Sequence, residues 1–210
     1  MTEDEARARV AALVDVSRET EKALDRFVTL LRDEATRQNL ISASTLDHIW
    51  ARHILDSVQL LRWDRGGPWL DLGSGAGFPG LVVAALRSGP VTLVESRRLR
   101  AGFLERAIEE MGLGRSARVE ATRLELLPSA PYDIISARAF APLDRLLPLA
   151  HRLSHKGTVW LLPKGRGARV EVDAALRSWQ GAFGVEPSVT DPESGVIVAR
   201  NIQPRRRRGA

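Results

Sequence analysis

Cysteine is absent from all 210 residues. Disulfides, thiolate metal sites and every mechanism built on a cysteine nucleophile are thereby excluded, methylation of pyrimidine C5 through a covalent adduct among them. No run of 18 or more apolar residues occurs, so no membrane-spanning helix is expected. The opening Met1-Thr2-Glu3-Asp4-Glu5 is acidic where a secretory signal is basic and then apolar. A cytoplasmic protein with no membrane partner and no metal is the expectation. Lysine is scarce too: Lys22, Lys156 and Lys164 are the whole set, and the remaining basic residues are arginines.

The formal net charge of +5 points to a polyanionic partner, but its distribution changes the reading. Without Arg205, Arg206, Arg207 and Arg208 the basic count is 27 against 26 acidic residues. The body is nearly neutral, and the arginine block after Pro204 reads as a disordered basic tail that touches phosphates non-specifically. With 44% hydrophobic residues, the length suits one domain with a sizeable core plus an appendage. A monomer is expected.

Along the chain, Val10, Leu13 and Val14, then Leu24, Phe27, Val28 and Leu31 recur at helical spacing among charged residues. A further helix is expected from about Leu46 to Leu61, with Ile49, Trp50, His53, Ile54, Val58 and Leu61 on one side and Arg52 and Asp56 on the other. From Trp69 the texture changes. Short apolar runs at 69–72, 91–95, 117–120, 132–136 and 158–162 alternate with helical patterns at 81–88, 99–111 and 143–153. That alternation predicts an α/β fold with a mostly parallel sheet, closed by a strand pair near 183–189 and 195–202. The chain thus reads as a helical cap at 1–62, a core at 63–203 forming one compact unit with it, and the tail at 204–210.

The segment Asp71-Leu72-Gly73-Ser74-Gly75-Ala76-Gly77-Phe78-Pro79-Gly80 places four glycines in eight residues directly after a strand. Such a loop turns sharply and lets a ligand approach main-chain amides that no side chain obstructs, so it suits a nucleotide-like group. The second strand ends at Glu95, whose carboxylate is placed to accept two ribose hydroxyls. The same spacing satisfies a dinucleotide fingerprint, which keeps an NAD-binding oxidoreductase open as an alternative. The helical preface, Asp71 ahead of the glycines and the lack of a second nucleotide-binding half weigh against it.

The ordered set Asn39-Leu40-Ile41-Ser42, Arg52-His53-Ile54-Leu55-Asp56-Ser57, the 71–80 loop, Leu93-Val94-Glu95-Ser96 and Ser136-Ala137-Arg138-Ala139 resembles one family closely, from about Asn39 to Gly165. That family is the bacterial small-subunit ribosomal RNA guanine-N7 methyltransferases, the glucose-inhibited division protein B group. The resemblance implies a class I S-adenosylmethionine-dependent methyltransferase, Rossmann-like with a seven-stranded sheet and an N-terminal helical extension. It implies methyl transfer to N7 of one guanosine in the 530 loop of 16S ribosomal RNA, the substrate being that RNA or the small ribosomal subunit. By matching motifs, Gly73, Gly75 and Phe78 are expected against the cofactor and Glu95 on its ribose. Leu124 and Glu125 are expected beside the adenine, and Arg138 at the cofactor or substrate edge. Asn39, Arg52, His53 and Lys164 are candidate RNA contacts.

Guanine N7 carries a lone pair and no proton, so attack on a sulfonium methyl requires no general base. Holding two reactants in line lowers a barrier by roughly 7 to 11 kcal/mol, enough to make a dedicated acid or base unnecessary. This agrees with a sequence that shows no catalytic dyad, and leaves Arg138 and His53 as positioning candidates. The turn Ser136-Ala137-Arg138-Ala139-Phe140-Ala141-Pro142 also lacks the Asn/Asp-Pro-Pro-aromatic pattern of amino-group methyltransferases. Single residues keep two readings each: His53 bonds within its helix face or approaches the guanine, Asp56 orients His53 or faces water, Asn39 caps a helix or contacts substrate.

Overall fold

The computed structural model describes residues 1–205. Helix α1 (Glu3–Leu13) starts at a capping box, in which Thr2 accepts from the Glu5 amide and the Glu5 carboxylate accepts from the Thr2 amide. Helix α2 (Arg18–Glu34) is capped by Ser17 and buries Ala23, Leu24, Phe27, Val28 and Leu31, the stripe expected from its periodicity.

The regular helix expected at 46–61 is not formed. A 3-10 helix over Ala43–His48 leads into a π-helical turn at Trp50–Ile54, followed by the short helix α3 (Leu55–Val58) and a second 3-10 stretch at Gln59–Trp63. The backbone widens where a partner from elsewhere takes its amides: the Glu3 carboxylate accepts from Trp50 N and Ala51 N at 3.0 Å each. Single π turns of this kind concentrate at functional sites, and this one carries Arg52 and His53.

Seven strands follow: β1 (Trp69–Leu72), β2 (Val91–Val94), β3 (Ala117–Glu120), β4 (Tyr132–Ala137), β5 (Ser154–Lys164), β6 (Trp179–Pro187) and β7 (Gly195–Pro204). Their order is β3-β2-β1-β4-β5-β7-β6, with β7 antiparallel to both neighbours and all other pairs parallel. Helices α4 (Gly80–Leu86), α5 (Arg98–Met111), α6 (Leu143–Ala150) and α7 (Ala168–Ala175) complete the crossovers. The strand order reverses between β1 and β4, where Leu72 pairs with Ala137, so a crevice opens beyond the carboxyl ends of these strands.

The two faces of the sheet bury separate cores. Trp69, Leu93, Ile134 and Val198 pack with α1, α2, α4 and α5, while Leu70, Leu72, Ile135 and Trp160 pack with α6 and α7. The residues before β1 therefore share a core with the glycine loop: Phe27 of α2 lies 5.3 Å from Phe78 and 6.4 Å from Phe103 between ring centroids. Four tryptophans are buried and Trp63 packs at the rim, as packing residues should. We expect Phe27→Ala to cost about 3 to 5 kcal/mol, the usual range for emptying a buried aromatic site. Urea denaturation followed by circular dichroism measures it, and a loss under 1 kcal/mol would show α2 to be peripheral.

Two residues assigned to the tail from the sequence, Pro204 and Arg205, belong to the fold. Pro204 closes β7, and Arg205 is tied back through its amide to Ser178 O (2.8 Å) and through Nε to Trp179 O (3.0 Å). Arg206, Arg207 and Arg208 lie outside the described residues.

Candidate active site

The loop between β1 and α4 is held by hydrogen bonds that begin in the sheet. Asp71, fully buried at the end of β1, accepts from Ser136 Oγ at 2.6 Å and from the Gly80 amide at 3.2 Å. Trp69 Nε1 donates in turn to Ser136 Oγ at 2.8 Å. Burial pushes the Asp71 carboxyl up to about 6, against the opposing pull of its hydrogen bonds from Ser136, Ser74 and Gly80. Asp71 is thus the residue that closes the loop from below; Gly80 is obligatory because a Cβ there would sit 2.7 Å from Asp71 Oδ2.

Glu95 closes the loop from the side. It is 5% exposed, its Oε2 accepts from Gly75 N at 3.1 Å, and its Oε1 accepts from Arg97 N at 2.8 Å. Each oxygen retains acceptor capacity toward a cavity of about 240 Å³. That cavity is lined by Gly73, Val94, Glu95, Thr122 and Leu124 and by Phe140. Glu125, expected beside Leu124, is exposed on the 3-10 turn and outside the lining, because the turn points only Leu124 inward.

Phe78, expected against the cofactor, lines neither this cavity nor the larger one next to it. It is 3% exposed and stacks under His53, with centroids 4.9 Å apart at 27° between planes. The Arg138 guanidinium lies over the same ring at 5.1 Å. Phe78 is therefore the platform on which His53 and Arg138 rest.

The larger cavity, about 560 Å³, opens between α3, the turn after β4, the end of β5 and the β6–β7 turn. His53, Asp56, Arg138, Phe140 and Thr190 line it. Arg138 Nη1 meets His53 Nδ1 at 3.0 Å and Asp56 Oδ2 at 3.7 Å. His53 Nε2 meets Thr45 Oγ1 at 3.0 Å, so the ring bonds across the cavity rather than within its helix. Asp56 makes no hydrogen bond to His53: Gln59 Nε2 (2.7 Å) and Thr190 Oγ1 (3.2 Å) donate to its Oδ1, while the side chain lines the cavity. Burial raises the Asp56 carboxyl and lowers the Arg138 guanidinium, each partly offset by the other's charge. Ala139, at φ 52°, takes the left-handed conformation that swings Phe140 over Gly73, between the two cavities.

Burial first, and then the charges of Arg138 and Arg52, depress the His53 imidazole to about 3. The folded protein therefore holds His53 neutral, so its contribution to stability is complete above pH 6.5 and is lost as pH falls toward 3. We expect the His53 Cε1 resonance to stay at its neutral position from pH 8 to pH 5 in an NMR titration. A midpoint near 6.5 would mean an open, solvated ring.

Two of the RNA-contact candidates, Lys164 and Asn39, have partners within the fold, and each also lines a cavity or groove. Lys164 is bound in the fold, pairing with Glu171 Oε2 at 2.8 Å and donating to Ala141 O at 2.8 Å, because β5 delivers it beside α7. Asn39 does not cap α2, which ends at Glu34 with Ala35 as its cap; it is exposed, and its carbonyl accepts from Arg100 Nη2 at 2.9 Å. With Gln38, Arg97, Arg98, Leu99 and Arg100 it lines a groove of about 390 Å³. Arg52 is exposed at the mouth of the larger cavity. Phe140 and Thr190 were not singled out as site residues, and Asp56 was weighed only as a partner of His53.

A profile of the family described as rRNA small subunit methyltransferase G (GidB) matches residues 20–195. The chain belongs to that family. It is 56% identical over 209 residues to the ribosomal RNA small subunit methyltransferase G of Rhizorhabdus wittichii, covering 98% of this chain and 95% of the relative. The corresponding protein of Zymomonas mobilis is 48% identical over 218 residues, covering 99% and 98%. Among solved structures, an O-methyltransferase from Bacillus cereus in complex with S-adenosylhomocysteine superposes with a TM-score of 0.60 at 14% identity, covering 94% of this chain and 97% of that one. A SAM-dependent methyltransferase from Aquifex aeolicus gives 0.60 at 15% identity, covering 81% and 98%. These neighbours establish the fold, the class I methyltransferase sheet that the family resemblance implied. Among the described residues, no group of three or more His, Asp and Glu side chains is placed to hold a metal ion, and no helix is long and apolar enough to cross a membrane.

Proposed function

We propose that this protein transfers a methyl group from S-adenosylmethionine to N7 of a guanosine in the 530 loop of 16S ribosomal RNA, acting as a cytoplasmic monomer. Family membership supports the reaction class. The observation that carries the reading within the structure is the pair of adjoining cavities, about 240 and 560 Å³, that share Ala139 and Phe140 as their common wall.

The smaller cavity fits the cofactor. A Cβ at Gly73 would meet Phe140 Cδ2 at 2.4 Å, so glycine here lets the Phe140 ring lie against the main chain at the cavity wall. Gly73 supplies that main chain, while Gly75, expected against the cofactor, lies outside the lining and instead donates its amide to Glu95; Glu95 supplies the acceptors for two ribose hydroxyls, and Leu124 with Thr122 supplies a wall for the adenine. When bound, S-adenosylmethionine supplies an electrophilic methyl on a sulfonium centre.

The protein's own residues hold and orient. Phe140, 37% exposed, offers an aromatic surface for a base entering the larger cavity. Neutral His53 adds no positive charge to a purine that becomes cationic as it is methylated. The positive charge of Arg138 is offset by Asp56 at 3.7 Å and by the charge of Asp71, so the site presents no bare cation to that purine. Exposed Arg97 and Arg98, with Arg52 on the other side, provide phosphate contacts that register the RNA without reading its sequence. Residues 1–62 act with the core as one unit, since α2 packs directly behind the glycine loop.

Transfer of labelled methyl to unmodified small-subunit particles, mapped by cleavage at N7-methylguanosine, tests the reading. Label at a single guanosine of the 530 loop is the expected result. Cofactor binding with no label there would keep the fold and remove the substrate.

A further inference from the structure

The larger cavity contains a carboxylate that the proposed chemistry does not use. Asp56 is 15% exposed in its side chain and lies on the side of the cavity facing the β6–β7 turn. Its two oxygens are unequal. Oδ1 takes Gln59 Nε2 at 2.7 Å and Thr190 Oγ1 at 3.2 Å, with Ser188 Oγ at 3.4 Å. Oδ2 has the Arg138 guanidinium at 3.7 Å, beyond hydrogen-bond reach. A carboxylate anchored through one oxygen, with acceptor capacity left on the other, is a rigid acceptor aimed into a space large enough for a nucleoside.

Resting on the proposed function, we propose that Asp56 determines the choice of purine, accepting from the N1–H and the exocyclic 2-amino group of the target guanine. The chemistry follows from the base. Guanine presents O6 as an acceptor beside two donors, N1–H and N2–H2, whereas adenine presents a donor at position 6 and an acceptor at N1. The Arg138–Asp56 pair places donors beside an acceptor, which complements guanine and opposes adenine at both positions. Enzymes that modify a base take it out of the stack and read this edge in their pocket. N7 lies on the other side of the ring from N1 and N2, so an acceptor on the wall away from the cofactor cavity leaves N7 free for methylation. Burial, which raises the Asp56 carboxyl, also makes an unsatisfied Oδ2 costly and a paired one selective.

The test compares small-subunit particles reconstituted with 16S ribosomal RNA carrying either guanosine or inosine at the target position, inosine lacking only the 2-amino group. Wild type is expected to methylate the inosine particle with a kcat/KM about 10- to 100-fold lower, the scale of one hydrogen bond to a charged group. Asp56→Asn is expected to lose more on guanosine, where the contacts to N1–H and the 2-amino group both go, than on inosine, where only the N1–H contact goes, so the guanosine-to-inosine ratio falls toward one. A purely structural role, acting through Arg138, would lower both substrates equally and leave the ratio at its wild-type value, which overturns the proposal. S-adenosylhomocysteine affinity, measured by calorimetry, is expected to remain unchanged. If Asp56→Asn does not fold, Asp56→Glu keeps the charge beside Arg138 but displaces the oxygens, and an unaltered ratio there is equally fatal. Wild type treating both particles alike overturns the inference while leaving the function standing; no label on the guanosine particle removes the function and the inference with it.

Discussion

Gly73→Val is expected to weaken S-adenosylhomocysteine binding by at least about 100-fold, a loss of roughly 3 kcal/mol at 1.4 kcal/mol per decade. Two effects combine. Gly73 sits at φ 66°, where a β-branched residue is strained by about 1 to 3 kcal/mol. Its Cβ would also lie 2.4 Å from Phe140 Cδ2, so either the ring or the loop must move, and both border the smaller cavity. The sheet is not asked to change, because the Gly73 amide bonds to Val94 O at 2.9 Å in a position that valine also satisfies. Gly75→Ala provides the contrast. Gly75 has φ 53°, but a Cβ there meets nothing closer than Gly73 O at 3.6 Å, so a loss of only about tenfold is expected from backbone strain alone. Calorimetric titration of both variants, with circular dichroism as a check on folding, decides the matter. Equal affinities for Gly73→Val and wild type would mean that no ligand approaches the loop at this point.

The division between what could be read in the sequence and what could not follows the range of the interactions. Strand periodicity and the glycine loop depend on neighbours within a few residues, so β1, β2, β3 and β4 fall within a residue or so of their expected bounds. The closing pair was placed but shortened, since β6 begins at Trp179 and β7 runs to Pro204. The 46–61 region went wrong because its backbone is shaped by Glu3, more than forty residues away, and no local pattern reports that partner. Site residues divide the same way. Gly73 and Glu95 follow directly from a loop and a strand end. Asp56 gains its meaning only when β4 brings Arg138 and the β6–β7 turn brings Thr190 to the same cavity. Lys164 looked free because Glu171, its partner, lies on the next helix.

The largest stability effect within the site is expected from Arg138→Ala. The guanidinium is 22% exposed in its side chain and neutralises Asp56 while bonding to His53 Nδ1 and resting over Phe78. Removing it leaves a mostly buried carboxylate without its counter-charge, and breaking such a pair from one side costs about 3 kcal/mol, the lower end of the measured range. For a chain of this length that corresponds to a fall of roughly 6 to 12 °C in Tm. The double variant Arg138→Ala with Asp56→Asn removes the stranded charge as well. It is expected to recover about 1 to 2 kcal/mol relative to the sum of the single losses, the coupling typical of residues in one network. Strict additivity in thermal denaturation would show that the two side chains do not share their energy. The same coupling explains why the fold tolerates a buried charge pair at its cavity wall. Replacing both by apolar residues would be compatible with packing, but it would erase the adjacent donor and acceptor that distinguish one purine from another.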